Sequence, residues 1–417
     1  MPSAASSAPT VAVIGGGPGG LMAAERLAER GAAVTVYERM PSVGRKFLLA
    51  GRGGLNLTHS EPLDDLLERY GAARPQLEGA IRSFDATALR SWCEGLGEPT
   101  FVGSSGRVFP SSFRATPLLR AWLARLEALG VQIRVRHHWT GWADDGALTF
   151  TDADEVQVAV RPDVTVLALG GASWPKVGSN AAWVGPLEAV GVSVTPLRPA
   201  NCGFSVSWTA TFSDRFAGVP LKNIRLNVDG VNGVAHSVRG EAMVTESGVE
   251  GGAFYAAGAA IRDRIEESGD GTTVVHLDLH PDLTAAQIVE RLRRRRLKDS
   301  QSSTLRKAVG LQPVSVGLLR EAAGVRLPAD DAVLAELIKS VPVRLVGVES
   351  IDRAISTAGG VAFDEIDDNF MLRHRPGTFV VGEMLDWEAP TGGYLLQATF
   401  SSAVMAAGAA ADWLDQR

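Results

Sequence analysis

Cysteine is scarce in this sequence. The 417 residues contain two cysteines, Cys93 and Cys202, which lie far apart in the chain. Because no C-x-x-C pair exists, the sequence offers neither a zinc ribbon nor a disulfide-reductase redox pair. So few thiols are typical of a protein that works in a reducing cytoplasm. We therefore expect a cytoplasmic protein without a metal site.

Long apolar runs and an excess of basic charge are missing as well. No stretch approaches the roughly 18 consecutive apolar residues that a membrane span needs. Residues 1–10 lack the basic and apolar regions of a signal peptide, and we interpret them as a frayed leader. A net charge of −6 gives no general attraction to nucleic acid or anionic membranes. The composition, 45% hydrophobic and 21% charged, predicts a soluble globular protein of two or three domains.

The stretch from Val11 to Glu38 carries the most informative pattern. A short β-branched strand leads into glycines in G-x-G-x-x-G spacing, an amphipathic helix, a second strand and an acid. Pieces in this order form one βαβ unit that binds a dinucleotide. The motif glycines are Gly15, Gly17 and Gly20.

Each of these residues has a physical role in such a site. Gly15 permits a tight turn, Gly17 lets the backbone approach a pyrophosphate, and Gly20 lets the helix lie close to the strand. The helix N-terminus offers free N–H groups to the phosphates. Glu38 can accept hydrogen bonds from ribose hydroxyls. The motif alone serves both FAD and NAD, so the distal segments decide between them.

Glycine-rich segments further along the chain extend the expected site. Residues 41–60 combine four glycines with basic and polar side chains, and we interpret them as a loop that follows a flat cofactor towards its reactive ring. A buried strand at 164–169 leads into Gly170-Gly171, and such strand ends lie at the ligand crevice of an α/β sheet. Residues 390–393 (PTGG) open a C-terminal helix. N–H groups there can face the part of a flavin where negative charge develops on reduction.

The middle of the chain differs in texture. Residues 194–290 contain short alternating strands separated by turn signals, and residues 283–346 are predicted to be largely helical. A helical stretch at 63–96 and a small antiparallel meander at 131–160 are also expected. The basic run at 291–298 (RLRRRRLK) is interpreted as a solvated helix face, and an RNA-docking strip is the alternative.

These patterns predict an α/β fold. A Rossmann-like FAD-binding domain is built from both chain ends, residues 1–192 and 347–417. An inserted antiparallel β domain with a helical subdomain spans residues 193–346.

The segments together resemble one known family. They are GGGPGG with Glu38, GRKFLLAGRGGLNLTHS, LALGGASWPKVGS, STAGGV and VVGEMLDWEAPTGGYLLQATFSS. This pattern covers nearly the whole chain and resembles the bacterial flavoproteins called BaiN-like or YhiN-like, which are NAD(P)/FAD-dependent oxidoreductases distantly similar to the glutathione-reductase superfamily. The resemblance implies FAD as the cofactor.

The resemblance also implies where the cofactor lies. The first glycine motif is expected at the pyrophosphate, Glu38 at the adenosine ribose, and the backbone of Trp139 near the adenine. The G-E pair is expected by the ribityl chain and the T-G-G-Y segment at the flavin ring. The full set of expected cofactor-binding residues is Gly15, Gly17, Pro18, Gly20, Glu38, Arg39, Arg45, Lys46, Asn56, Trp139, Gly170, Gly171, Gly382, Glu383, Gly392, Gly393 and Tyr394.

One segment departs from the family pattern. Relatives often have S-G-G-G-R-C-N-L-T-N, whereas residues 50–59 read AGRGGLNLTH. The usual Arg-Cys pair is Gly54-Leu55 here, and an arginine stands earlier, at Arg52. Any role of that cysteine is therefore absent, and a different substrate is expected.

The residues support hydride or electron exchange between a flavin and a small organic substrate. No second G-x-G-x-x-G motif exists. Either NAD(P)H or another donor visits the flavin transiently, or the substrate reduces it and oxygen reoxidises it, as in an amine oxidase. An RNA-acting or a sensing flavoprotein is a further alternative. The catalytic candidates are His59, Arg52 and Asn56, and histidine is the side chain that titrates near neutral pH. The wider substrate-facing set is Arg52, Asn56, His59, Trp174, Trp387 and Gln397.

Overall fold

The chain divides into two compact units. A computed structural model describes residues 8–231, 233–295, 299–324 and 326–417. One unit combines Met1–Arg198 with Ser356–Arg417, and the other is Pro199–Ile355. Residues 1–7 of the expected leader lie outside the described residues, and Thr10 begins the first strand.

The divisions fall later than the expected boundaries at 192/193 and 346/347. Residues just after 192 stay with the first unit, because the Ser193 carbonyl accepts a hydrogen bond from the Ala362 N–H. Residues just after 346 stay with the second unit, because Gly347–Val348 pairs with Phe204–Ser205.

The elements of the described residues are given in chain order. The first part of the chain contains β1 (Thr10–Ile14), α1 (Pro18–Glu29), β2 (Ala33–Glu38), α2 (Arg45–Ala50), β3 (Thr58–His59), α3 (Leu63–Glu68), α4 (Arg74–Ser83), α5 (Ala86–Gly95), β4 (Thr100–Val102), β5 (Arg107–Pro110), α6 (Ala115–Ala128), β6 (Gln132–Val135), β7 (His138–Trp142), β8 (Leu148–Thr151), β9 (Gln157–Val160), β10 (Val164–Leu167), α7 (Val184–Glu188) and β11 (Val194–Ala200). The middle contains β12 (Phe204–Ser205), α8 (Ala210–Phe216), β13 (Pro220–Asp229), β14 (Ala235–Val244), β15 (Gly248–Glu250), α9 (Gly252–Ala256), α10 (Gly258–Glu267), β16 (Thr273–Asp278), α11 (Ala285–Arg293), α12 (Gln301–Thr304), α13 (Pro313–Ala323), α14 (Asp331–Lys339), β17 (Val341–Leu345) and β18 (Gly347–Val348). The last part contains β19 (Ser356–Val361), β20 (Thr378–Val380) and α15 (Tyr394–Asp415).

A parallel sheet organises the first unit. Within the described residues its order is β20–β10–β1–β2–β6, and all four pairings are parallel. Residues Val11–Ile14 of β1 are at most 2% exposed, as expected for a strand covered on both faces. Two small antiparallel sheets, β3–β5–β4 and β7–β8–β9, belong to the same unit. The predicted Rossmann-like α/β fold is confirmed.

Three local expectations are corrected by the structure. The meander contains β7, β8 and β9 only, because residues 132–135 pair in parallel with β2. The expected loop at 41–60 contains α2, a turn of 3-10 helix at Gly51–Gly53 and β3. The expected helical stretch at 63–96 is divided into α3, α4 and α5.

The last helix, α15, lies beside the first helix. A Cβ at Gly19 of α1 would lie 3.3 Å from Thr399 of α15, and Arg30, just after α1, forms an ion pair with Asp412. The two helices therefore run in the same direction. Among the described residues α15 alone is long and apolar enough to span a membrane, and 61% of its apolar stretch is buried inside the protein. It is a core helix of the first unit.

The second unit is built on an antiparallel sheet. Its order among the described residues is β17–β16–β13–β14–β15–β12–β18, and its own apolar core includes Phe204, Leu226 and Leu319. Helix α11 carries part of the basic run and buries Ile288 and Leu292 in that core. The residues 296–298 of the run lie outside the described residues. The predicted antiparallel β domain with helices is confirmed.

A buried carboxylate ties α1 to its neighbours. Glu25 is 0% exposed; its oxygens accept hydrogen bonds from the Trp92 indole N–H at 3.1 Å and from Arg125 at 3.0 Å. A buried charge that loses its partner is costly. Arg125 therefore holds α1 against α5 and α6.

We predict that Arg125→Met lowers the free energy of unfolding by about 3–5 kcal/mol, because it leaves the Glu25 carboxylate buried and unpaired. The matched control is Arg161→Met, whose exposed ion pair with Asp145 contributes less than about 1 kcal/mol. Urea unfolding followed by tryptophan fluorescence compares the two. Equal losses for both variants would refute the assignment to burial.

Candidate cofactor and active site

Three neighbouring parallel strands end at one level of the first unit. Ile14, Leu167 and Val380 are register partners at the ends of β1, β10 and β20. Within three residues each strand is followed by a glycine with positive φ, which side chains rarely adopt. These glycines and their φ values are Gly15 (106°), Gly170 (72°) and Gly382 (71°). The structure thus brings three segments expected at the cofactor to one edge of the sheet, where ligands of α/β folds bind.

The glycines of the first motif have different roles. A Cβ at Gly20 would overlap the carbonyl oxygen of Gly15, so Gly20 is required for close contact between α1 and the turn. A Cβ at Gly17 would meet nothing within 4 Å. Gly17 is the N-cap of α1 without a side-chain hydrogen bond, and Pro18 is the first helical residue. Open space therefore lies in front of the free N–H groups of this helix.

Glu38 ends β2 beside the glycine turn. Its carboxylate accepts hydrogen bonds from the N–H groups of Gly16 at 2.8 Å and Met40 at 2.7 Å. The next residue, Arg39, donates to the carbonyl of Gly178 in the loop after β10. The acid is thus held at the edge where a ribose is expected.

The Glu383 carboxylate joins several segments expected at the cofactor. Its Oε2 accepts hydrogen bonds from Lys46 Nζ at 2.7 Å and from the Gly171 N–H at 3.3 Å. Its Oε1 accepts the Thr357 N–H at 2.9 Å. Lys46 also donates to Ser173 at 2.7 Å. Any contact between Glu383 and the cofactor therefore involves a carboxylate that is already hydrogen-bonded to these groups.

The start of α15 lies against β3. A Cβ at Gly393 (φ 99°) would lie 2.5 Å from the backbone of Thr58, so only glycine allows this approach. The Thr58 hydroxyl donates to Gln397 at 2.6 Å. The first turn of α15 has no side-chain cap, which leaves its N–H groups available to a ligand.

A polar cluster surrounds Tyr394, the first residue of α15. We call Glu61, Arg69, Tyr394 and His59 the Glu61 cluster. Glu61 accepts hydrogen bonds from the Tyr394 hydroxyl at 2.6 Å and from Arg69 at 2.6 Å and 3.2 Å. The His59 ring stacks on the Tyr394 ring with centroids 5.5 Å apart.

The pKa values of this cluster follow from its contacts. Burial alone would raise the pKa of Glu61, but hydrogen bonds from Arg69 and Tyr394 outweigh it and hold the pKa below its usual range. Burial and the hydrogen bond to Glu61 raise the pKa of Tyr394 far above its ordinary value. Tyr394 is therefore a neutral hydrogen-bond donor bound to an ionised carboxylate.

The three catalytic candidates have different surroundings. His59 Nε2 lies 3.0 Å from the Ser105 carbonyl, and its Nδ1 accepts the Glu61 N–H at 3.2 Å, so both ring nitrogens are occupied. Arg52 is exposed, and no ion pair joins it to a described residue. Asn56 Oδ1 is buried without a hydrogen-bond partner among the described residues.

The expectation that Gln397 and Trp387 face the substrate was wrong. Gln397 is 0% exposed; its amide oxygen accepts from Thr58 and its amide nitrogen donates to Phe84 and Ser401. Trp387 is 4% exposed and donates to the Gly382 carbonyl at 2.8 Å. Both side chains support the cofactor segments from the core instead. Burial of this kind leaves no mark in a local motif.

The remaining expected residues stand as follows. Trp174 is partly buried and has a left-handed backbone (φ 61°) in the loop after β10. Trp139 lies on β7 with its side chain in the core, so its backbone is the part that an adenine could meet. Arg45 is partly buried and donates to Ser42. In the described part of the chain no group of three potential metal ligands comes together.

Sequence reasoning missed Glu61, Arg69 and Thr357. Glu61 lies two residues beyond His59 and directly follows the segment GRKFLLAGRGGLNLTHS, and Thr357 lies within STAGGV. The signal for Glu61 was an acid beside a basic glycine-rich segment. Arg69, on the turn after α3, carried no signal, because only the fold brings it to Glu61.

The residues present fit FAD. The open N-terminus of α1 suits a pyrophosphate. Asn56 Oδ1 and Ser179 Oγ are buried polar atoms without partners among the described residues, and a polar cofactor would supply those partners.

The fold and this site define an oxidoreductase whose cofactor is FAD. The chain belongs to the family described as the HI0933-like protein Rossmann domain, whose model matches residues 9–409. The resemblance found in the sequence is confirmed.

Two curated relatives cover nearly all of the chain. The 3-dehydro-bile acid delta(4,6)-reductase of Clostridium scindens is 25% identical over 96% of this chain and 99% of its own length. The ribosomal RNA dihydrouridine synthase of Haemophilus influenzae is 23% identical over 94% of this chain and 96% of its own length. Among solved structures, 3-ketosteroid delta1-dehydrogenase from Sterolibacterium denitrificans has a TM-score of 0.54 at 13% identity, with 97% of this chain and 99% of that chain covered. This last likeness shows the fold.

We predict that two glycine substitutions in the first motif affect different properties, FAD affinity in one case and stability in the other. Gly17→Ala leaves the melting temperature within about 2 °C of the wild type, since its methyl group meets no protein atom, but weakens FAD binding at least about tenfold by blocking the backbone's approach to the pyrophosphate. Gly20→Ala instead destabilises the apoprotein by about 1–3 kcal/mol through overlap with Gly15. Thermal unfolding of apoprotein and FAD titration separate the two. Unchanged FAD affinity in Gly17→Ala would remove Gly17 from the pyrophosphate site.

We also predict that Glu61 contributes to acid sensitivity. Its pKa is depressed in the folded protein, so its stabilising effect is present above the ordinary carboxyl pKa and is lost as pH falls through the folded value. The drop in melting temperature between about pH 6 and pH 3 should therefore be smaller in Glu61→Gln than in the wild type. Glu94→Gln, at an exposed position of α5, should keep the wild-type slope. Identical slopes for all three proteins would contradict the inferred shift.

Proposed function

We propose that the protein is a FAD-dependent reductase that saturates a carbon–carbon double bond conjugated to a carbonyl group in a small organic substrate. In this proposal NAD(P)H is the electron donor. It visits the flavin only transiently, since the sequence contains no second dinucleotide motif. The names of the two curated relatives support this reaction class. One is a reductase of a bile-acid double bond, and dihydrouridine is uridine with the double bond next to a carbonyl saturated.

The observation that carries the proposal is the meeting of the glycine-ended strands, the uncapped start of α15 and the segment around Arg52 in one unit. When bound, the flavin supplies reversible hydride transfer. The uncapped N–H groups of α15 would stabilise negative charge on the bound cofactor. In the overall reaction NAD(P)H gives up a hydride and water gives a proton, the double bond gains both, and NAD(P)+ and hydroxide are left.

The three candidate residues take different roles in this proposal. Arg52 donates hydrogen bonds to the substrate carbonyl and draws electron density away from the carbon that receives the hydride. Asn56 orients the cofactor or substrate through its unpaired Oδ1. His59 forms a wall, because both ring nitrogens are occupied. Solvent therefore supplies the proton.

Anaerobic mixing tests this function. NADH or NADPH should bleach the flavin absorbance, and 4-androstene-3,17-dione should restore it with formation of the saturated ketone, identified by mass spectrometry. Arg52→Gln should lower kcat/KM about tenfold to a hundredfold, as expected for a lost charged hydrogen bond. Arg120→Gln, at an exposed position of α6, should change neither the bleaching of the flavin nor kcat/KM. Bleaching only by an amine, with reoxidation by oxygen, would replace the reductase with an amine oxidase.

A second candidate, reduction of a pyrimidine in RNA, is favoured by the Haemophilus relative. Two observations weigh against a docking strip at 291–298: Arg294 and Arg295 form ion pairs with Glu290 and Asp331. Strongly salt-dependent binding of ribosomal RNA would support this candidate. We also propose a cytoplasmic location, because the chain has only two cysteines, both of them buried.

A further inference from the structure

One face of the small β3–β5–β4 sheet carries aromatic rings and a cation beside the candidate active site. Phe101 pairs with Phe109, and His59 pairs with Arg107. Residues 107 and 109 lie two apart on β5, so they point to the same face, and their directly opposite partners share it. We call Phe101, Phe109, Phe113, Arg107 and His59 the phenylalanine face.

The rings of this face are exposed although they contact one another. Phe101 is 40% and Phe113 44% exposed. The centroids of Phe109 lie 5.7 Å from Phe101 and 5.0 Å from Phe113. A contiguous exposed aromatic patch is uncommon on a soluble protein and marks a binding surface.

Glycines allow the backbone to approach these rings closely. A Cβ at Gly106 would lie 2.6 Å from the His59 ring, and one at Gly103 would lie 3.3 Å from Phe109. A Cβ at Gly54 would overlap the Phe113 ring, and Phe113 itself has a left-handed backbone (φ 60°). Strained backbone at an exposed aromatic residue is typical of functional surfaces. Gly54 lies between Arg52 and Asn56, so the patch borders the candidate active site.

Basic side chains outnumber acidic ones in the segments that form the face, although the Glu61 carboxylate lies beside His59. Residues 99–126 contain Arg107, Arg114, Arg120 and Arg125 but no acidic residue, and residues 44–60 are also free of acids, in a chain of net charge −6. Arg107 and Arg114 form no ion pair with a described residue. The phenylalanine face therefore combines apolar rings with Arg107, a cation that no described carboxylate pairs with.

We propose that the phenylalanine face binds the substrate, and that the substrate is a flat, largely apolar enone bearing a carboxylate. The rings cover the apolar body and Arg107 binds the carboxylate. This inference rests on the proposed function, which it narrows from any conjugated enone to an anionic one.

The test compares 3-oxo-4-cholenic acid with its methyl ester, which differ only in the charge. In the holoenzyme, Arg107→Gln should raise KM for the acid about tenfold, the equivalent of one charged contact, while KM for the ester changes less than about twofold. Phe101→Ala should raise KM for both substrates about threefold to tenfold, since it removes ring contact from each. Arg161→Gln, at an exposed position after β9, is the matched control and should leave both values unchanged.

The possible outcomes distinguish a failure of this inference from a failure of the proposed reductase function. Reduction of acid and ester with the same KM in wild type and Arg107→Gln would overturn the inference and leave the reductase intact. If neither compound is reduced, equilibrium binding followed by flavin absorbance decides: tighter binding of the acid that Arg107→Gln abolishes supports the face, and equal binding overturns it. Displacement of the acid by oligouridylate, with loss of oligouridylate binding in Phe101→Ala, would assign the face to RNA and overturn the proposal.

Discussion

The register of three parallel strands is the constraint on which the cofactor site depends. β1, β10 and β20 end at one level, and each continues into a glycine with a positive φ, which side chains rarely adopt. β1 and β10 come from the first part of the chain and β20 from the last. The edge that they form exists only when these distant segments pair. A one-residue shift of β20 would move Gly382 and Glu383 away from Gly171 and Lys46.

Polar side chains then lock the segments that the sheet brings together. Glu383 joins the loops after β10 and β20 to α2 and β19, and Glu61 joins the end of β3 to the start of α15. Both carboxylates are largely shielded from water and bound to cations, where electrostatic interactions are stronger than at the surface. Each carboxylate therefore stabilises the fold at a place where the sequence motifs predict only contacts to a ligand.

Much of this could be predicted from the sequence, because the signals are local. Strand, glycine turn, helix and acid follow one another between Val11 and Glu38, and the T-G-G entry to α15 was equally clear. What could not be predicted depends on contacts across the chain. Residues 132–135 alternate like a meander strand, yet they pair with β2 because the open edge of the parallel sheet lies beside them. Gln397 and Trp387 follow cofactor motifs, yet the fold turns both into the core.

The place of α15 in the first unit has a consequence for how the protein is made. Residues 199–355 form a contiguous unit with its own core, so they can fold as soon as the ribosome has released them. The earlier residues have no such independence. Their sheet lacks β20, and the apolar side of α1 lacks its companion helix, until residues 356–417 emerge. During synthesis the segment translated first can therefore complete its sheet only after residues 356–417 have emerged.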